Sequence, residues 1–145
     1  MAVIQKEINV IQGFGERQIL RDTAAVVPMG SVVYVTSDDA FALGADDVSG
    51  VVCIAQNNSA NADSLGTASD FVGATAKVIG IPVNSGAEVQ IPAGRLGDDY
   101  AVVIGAAVYA SANGKIDDAA DDGDSVVIGY VTGGDLTDGP TVLLG

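Results

Sequence analysis

The sequence predicts an all-β fold: a small β-barrel or sandwich built from two similar β elements, with an extended N-terminal arm and at most one or two short helices. Three observations point there. The apolar runs are short, rich in Val and Ile, and broken by 19 glycines, a punctuation that suits strands and tight turns rather than long helices. Hydrophobic residues make up 48% of the chain but aromatics only 5%, with no Trp, so Ala and Val must supply the core. The chain also repeats itself. Residues 30–54 align without a gap on 105–129, and Gly30, Val33, Tyr34, Ala45, Asp46, Asp47, Val51 and Val52 each recur 75 positions later.

Taken in order, residues 1–22 read as an extended arm and 23–145 as a single β domain. The arm carries Ile4, Ile8, Val10, Ile11, Phe14, Ile19 and Leu20 among polar residues, and Gly13-Phe14-Gly15 argues against one long helix. Ala24–Pro28 and Ser31–Thr36 read as strands around a Pro28-Met29-Gly30 turn. Phe41–Leu43 is a short piece between the polar turns Ser37–Asp39 and Ala45–Asp47. Val51–Gln56 reads as a strand buried on both sides, and Asn57–Asp70 as a long exposed loop.

Phe71-Val72, Ala76–Pro82 and Ala87–Ile91 are again strand-like, with Asn84-Ser85-Gly86 as a hairpin turn between the last two. Ala93–Asp99 breaks the pattern and fits a short helical turn. The second copy follows as Ala101–Ile104 and Ala107–Ala110, the turn Ala112–Lys115, a short strand from Lys115-Ile116, the acidic loop Asp117–Asp124, Val126–Thr132 and the closing Thr141–Leu144. Each copy lacks aromatic bulk, so the two are expected to share one core. The arm and the 57–70 loop have no counterpart in the second copy.

Six basic residues against nineteen acidic ones give a net charge of −13. Such a surface excludes nucleic acid, whose phosphates demand clustered Lys and Arg, and disfavours an anionic membrane. The charge is uneven. Residues 1–21 hold three basic residues against two acidic, whereas the rest holds three against seventeen. The N-terminus is therefore suited to an acidic or apolar surface, and the body to water. Met1–Glu7 has no basic segment leading into an apolar stretch, so no signal peptide is expected, and no run reaches the length of a membrane-spanning helix. The sequon Asn57-Asn58-Ser59 has no secretory context to give it meaning.

Catalytic chemistry finds little support. Histidine is absent, leaving acid–base work to carboxylates, Lys or Tyr, and the acids sit in Asp-Asp pairs within turns that face solvent. No Gly-x-Ser-x-Gly elbow occurs, and Gly13-Phe14-Gly15 lacks the third glycine of a phosphate loop. The loop Asp117–Asp124 fails the EF-hand template: with Gly123 at position six, position three is Ala120 and position twelve Gly129. Weak divalent binding at Asp121, Asp122 and Asp124 is the residual metal reading. Cys53, the single cysteine, lies in the apolar run Val51–Ile54 and reads as a small buried hydrophobe. Tyr34 and Tyr109 read as core-edge residues, with contact to a partner as the alternative. No enzyme, cofactor or metal is expected.

Gly105-Ala-Ala-Val-Tyr109, the Gly114-Lys115 turn, Val127-Ile-Gly-Tyr-Val131 and the closing Val142–Gly145 resemble the small β-rich head decoration, or capsid cement, proteins of tailed bacteriophages. Met29–Tyr34 and Val51–Ala55 resemble them more loosely, so the likeness covers residues 24–145. It implies a structural virion protein, made in the host cytoplasm, that binds the outer surface of an icosahedral capsid as a homotrimer and bridges subunits of the major capsid protein. The family brings no catalytic residues, and the long arm departs from its pattern. Capsid or subunit contact is accordingly expected at the arm: Ile4, Ile8, Val10, Ile11, Phe14, Arg17, Ile19, Leu20 and Arg21. A non-catalytic glycan- or receptor-binding module of a virion appendage is the alternative.

Overall fold

The computed structural model describes residues 10–12, 19–23, 26–59, 76–120 and 125–145. Those residues form an all-β fold of eleven short strands in two antiparallel sheets. The strands are β1 (Val10–Gln12), β2 (Ile19–Thr23), β3 (Val32–Val35), β4 (Phe41–Leu43), β5 (Val52–Ala55), β6 (Ala76–Pro82), β7 (Glu88–Gln90), β8 (Ala107–Ala110), β9 (Ile116–Asp117), β10 (Val127–Asp135) and β11 (Gly139–Leu143). The first sheet runs β2-β6-β5-β3-β4 and the second β1-β7-β11-β10-β8-β9. Helix is confined, among the described residues, to single 3-10 turns at Ala93–Arg95 and Ala112–Gly114.

The sequence repeat is a repeat of hydrogen bonds. Strands β3, β4 and β5 return as β8, β9 and β10, and Tyr34 faces Ala42 and Val52 as Tyr109 faces Asp117 and Val127. Gly30 N donates to Ala55 O at 2.7 Å and Gly105 N to Val131 O at 2.8 Å. Each glycine is the third residue of a turn closed by Ser31 N on Pro28 O or by Ala106 N on Val103 O, both at 3.1 Å. Their φ values, +82° and +85°, lie in a region that side chains avoid, which is why the repeat retains glycine there. A bulge between Val127 and Gly129 adds one residue to the second copy, and the ladder beyond it is offset accordingly.

The duplication extends past residues 30–54 and 105–129. β6 flanks β5 as β11 flanks β10, and β2 flanks β6 as β7 flanks β11. Each unit therefore has five strands in the same order. Residues 19–22, counted with the unduplicated arm in the sequence, belong to β2 and have a counterpart in β7. The sequence hides this because these edge strands share no identities. Only β1 lies outside the scheme, on the free edge of β7.

Each strand serves the core according to its alternation. In the first unit, Val27, Val33, Phe41, Cys53, Ala55 and Val78 fill a small core of their own. The sheet curls round it until β4 approaches β2, and Arg21 Nε reaches Asp39 Oδ1, in the β3–β4 turn, at 2.7 Å. Gly80 makes the curl possible: a Cβ there would stand 2.6 Å from Phe41 Cζ and 2.8 Å from Cys53 Cβ. The other side of the same strands, with Val32, Val52, Ile54 and Ile81, packs into a larger core against Val89, Val108, Ile116, Ile128 and Val142. The two copies thus share one core, as expected, and the first has a second one to itself.

Several local expectations are corrected. Within Ala24–Pro28, residues 26–28 are not strand, and neither is the equivalent Ala101–Ile104. Side chains take the place of a ladder there. Ser59 Oγ accepts from Val27 N at 3.0 Å, Asn58 Oδ1 from Met29 N at 2.8 Å, and Asp118 Oδ2 from Ala101 N at 2.8 Å. The start of the expected exposed loop is therefore buried, Asn58 and Ser59 being closed off from solvent. Asn57 binds Ile79 N and Lys77 O on β6, so the sequon asparagine is engaged within the fold. Residues 60–70 and Phe71-Val72 lie outside the described residues.

Asn84-Ser85-Gly86 does not close a hairpin, because β6 and β7 belong to different sheets. It is the junction between the units, and Gly86 N donates to Leu144 O at 2.7 Å. β10 and β11, like β3–β4 and β8–β9, do form a hairpin. Gly133–Asp135 and Gly139-Pro140 are strand, and Asp135 Oδ1 accepts from Thr137 N and Asp138 N in the turn between them.

Two substitutions test this packing by denaturant unfolding. Gly80→Ala overfills the small core and lowers stability by about 1–3 kcal/mol. Asn58→Ala leaves the part-buried Met29 N–H without its acceptor and costs about 1–3 kcal/mol. An unchanged midpoint for either variant would contradict the contact assigned to it.

Candidate functional site

The N-terminal segment, where contact residues are expected, contributes to both sheets. Val10 and Ile11 lie in β1, whose backbone pairs with β7 through Val10↔Val89 and Gln12↔Glu88. Ile19, Leu20 and Arg21 lie in β2, paired with Gly80, Ile79 and Val78 of β6. Ile4, Ile8, Phe14 and Arg17 are outside the described residues. The segment therefore carries strands into both units, and its described parts are elements of the sheets.

Within β2 the three side chains have different surroundings. Ile19 is half-buried and packs on the small core. Leu20, on the opposite face, is half-exposed. Arg21 is held within the fold: its Nε meets Asp39 Oδ1, and Nη1 donates to its neighbour Leu20 O at 2.8 Å. The structure thus places Ile19 and Leu20 at a surface and ties the Arg21 charge to the barrel seam.

Beside β2 lies an open groove of about 640 Å³ that the sequence did not reveal. Ile19, Val51, Val52, Pro82, Val83 and Val126 line it. Among the described residues that line it, Ser49 and Asn84 are the polar side chains and none is charged. The groove arises where the units meet. The loop after β4 crosses towards the second unit, with Val126 N donating to Asp46 O at 3.0 Å, and the β6–β7 junction closes the far side. Its lining comes from stretches far apart in the chain. Val51-Val52 and Pro82-Val83 read in sequence simply as core strand and strand end.

The described chemistry of the acids and of Cys53 is that of structural groups. Among the described residues no cluster of three or more potential ligands could hold a metal ion. Asp121, Asp122 and Asp124 lie outside them. Asp118 is occupied with Ala101 N and Asp117 Oδ1 with Asp118 N. Cys53 has no solvent exposure, and burial pushes its thiol up to about 12, against a smaller lowering by Arg21. Burial, with the nearby carboxylates of Asp118 and Asp117, also pushes Tyr100 up to about 12. Tyr34 packs at the edge of the shared core, as expected. Tyr109 is half-buried on β8.

Both raised groups favour their protonated forms in the folded chain. Their contribution to stability is therefore fully present below the ordinary thiol value of about 9 and is lost as pH rises towards 12, because the unfolded chain loses its protons first. Unfolding midpoints should decline above pH 9, with a shallower decline for Cys53→Ala; a flat profile to pH 11 would refute the burial assignment. At pH 8 an aromatic disulfide reagent should label Cys53 in denatured but not in native protein. No family model matches the chain, and no curated protein matches it.

Proposed function

We propose that the chain is a structural virion protein that binds the outer surface of an icosahedral phage capsid and stabilises it by bridging subunits of the major capsid protein. The observation that carries this reading is the apolar groove lined in part by Ile19, with no charge among its described lining residues, on a chain whose net charge is −13. An open groove whose described lining is mainly apolar suits the insertion of an apolar or extended segment of another protein. Such docking needs no catalytic group. The motifs that resemble decoration proteins lie on β8, on the turn that follows it, and on β10 and β11. This unit carries the shared core and so supports the groove.

A protein of this kind stabilises a shell by linkage. It binds the assembled lattice and not the free subunits, so its binding free energy adds to that of the assembly. The acidic turns keep the remaining surface solvated.

Expanded, undecorated phage heads provide the test. The protein should co-sediment with them and raise the temperature at which they disrupt. Val51→Asp, a half-exposed position in the groove, should weaken co-sedimentation about tenfold or more while leaving the folded chain intact. Wild-type protein that stays in the supernatant and gives the heads no added heat resistance would refute the reading.

A further inference from the structure

The two β units are stacked head to tail. In the first, the side that points away from its own small core, with Met29, Val32, Tyr34, Val52, Ile54 and Ile81, docks into the shared core. What receives it is the inner side of the second unit. Val108, Ile116 and Ile128 there are the counterparts of Val33, Phe41 and Cys53, which line the inner side of the first. The outer side of one unit therefore sits on the inner side of the next.

Among the described residues, none packs upon the outer side of the second unit. Its positions follow from the shared register. Val52↔Tyr34 becomes Val127↔Tyr109, Val32↔Ile54 becomes Ala107↔Tyr130, and Ile54↔Ile81 becomes Tyr130↔Leu143. Met29, next to the turn glycine, becomes Ile104. In the first unit the four aliphatic strand positions are at most 7% exposed. In the second, Ile104 is 74% exposed, Tyr130 47%, Val127 43% and Leu143 40%. The docking surface is thus present twice and used once.

We propose that this outer face, built from Ile104, Ala107, Tyr109, Val127, Tyr130 and Leu143, packs against the same face of a second copy of the chain in a two-fold pair. A second copy offers no vacant inner side, because the first unit is closed round its own core and the second is filled by the first. The matching apolar surface it does offer is this face. None of the six residues is charged on a chain of net charge −13, so two such faces meet without burying like charges. Glu88 and Asp117 are paired opposite Leu143 and Tyr109 and mark the rim. Flat sheet faces pack on one another pairwise, and a self-complementary patch closes under two-fold symmetry. Tyrosine is well suited to the centre of such a contact. The proposal is independent of capsid binding, and its two-fold pair stands in place of the homotrimer that the resemblance implies.

Sedimentation and light scattering of the full chain over about 1–100 µM test it. A dimer is expected, and Tyr130→Asp and Leu143→Asp should each weaken it about tenfold or more. Leu136→Asp, at the exposed β10–β11 turn, adds the same charge away from the face and should leave the dimer unchanged. Raising the salt should strengthen the pair by screening two acidic chains, whereas a contact held by charge attraction would weaken. Thermal melts confirm that each variant is folded. A monomeric wild type, an assembly of another size, or a dimer indifferent to both face variants would overturn the proposal.

Discussion

Strand β5 is the constraint on which the rest of the structure depends. All four of its residues are buried, with Cys53 and Ala55 turned to the small core and Val52 and Ile54 to the shared one. One strand therefore serves two cores, and its neighbours β3 and β6 must do the same. That leaves no polar position on either side and little room on one of them, where Gly80 sits against Cys53 and Phe41. Burial of this kind also explains the thiol of Cys53, which lies on the middle strand of the first sheet with no solvent exposure.

The double burial breaks the equivalence of the two units. Their backbones repeat strand for strand, and two identical units could have closed symmetrically by packing like sides together. Here the outer side of one covers the inner side of the other, an arrangement that always leaves one inner and one outer side over. The left-over inner side is sealed locally: the first sheet curls until β4 approaches β2, and Arg21 and Asp39 bridge the seam. An ion pair as exposed as this one contributes little free energy. The curl itself, filled by Phe41 and Val78, supplies the closure.

How much of this can be read from the sequence depends on which residues carry identity. The turn glycines Gly30 and Gly105, the tyrosines after them and the paired valines give the register of three strands in each unit, because backbone geometry and packing both demand those residues. β2 and β7 are not recognisable as counterparts, since an edge strand of a few residues is specified by backbone pairing that many sequences satisfy. The segment at 26–29 reads as a strand because Val26 and Val27 are β-formers, yet its N–H groups bond to Asn58 and Ser59 side chains instead. Of the expected contact residues, Ile19 and Leu20 do reach a surface and Arg21 is tied to Asp39. The groove is not legible in advance, since it is assembled from stretches that are separate in sequence. The outer face is hidden for another reason: Val127, Tyr130 and Leu143 look like core residues in sequence, and only their unequal burial against Val52, Ile54 and Ile81 separates them.

Charge placement follows from the same asymmetry. Strands that serve two cores have no free side for acids, so the acids of the first unit are displaced to turns such as Asp38-Asp39 and Asp46-Asp47. The second unit does have a free side, and a solvated role would have allowed charges there. Instead its centre is occupied by Val127, Tyr130 and Leu143, with the described carboxylates of Glu88 and Asp117 at its margin. Duplication explains why the face began apolar, since its counterpart must be. It does not explain why positions exposed to water stay apolar when neighbouring turns carry acids. A contact that removes this face from water does explain it, and that contact lies on a different set of side chains from the groove beside β2. On the two proposals, the acidic turns keep the rest of the surface solvated, and both contacts fall on side chains that carry no charge: the described lining of the groove and the outer face of the second unit.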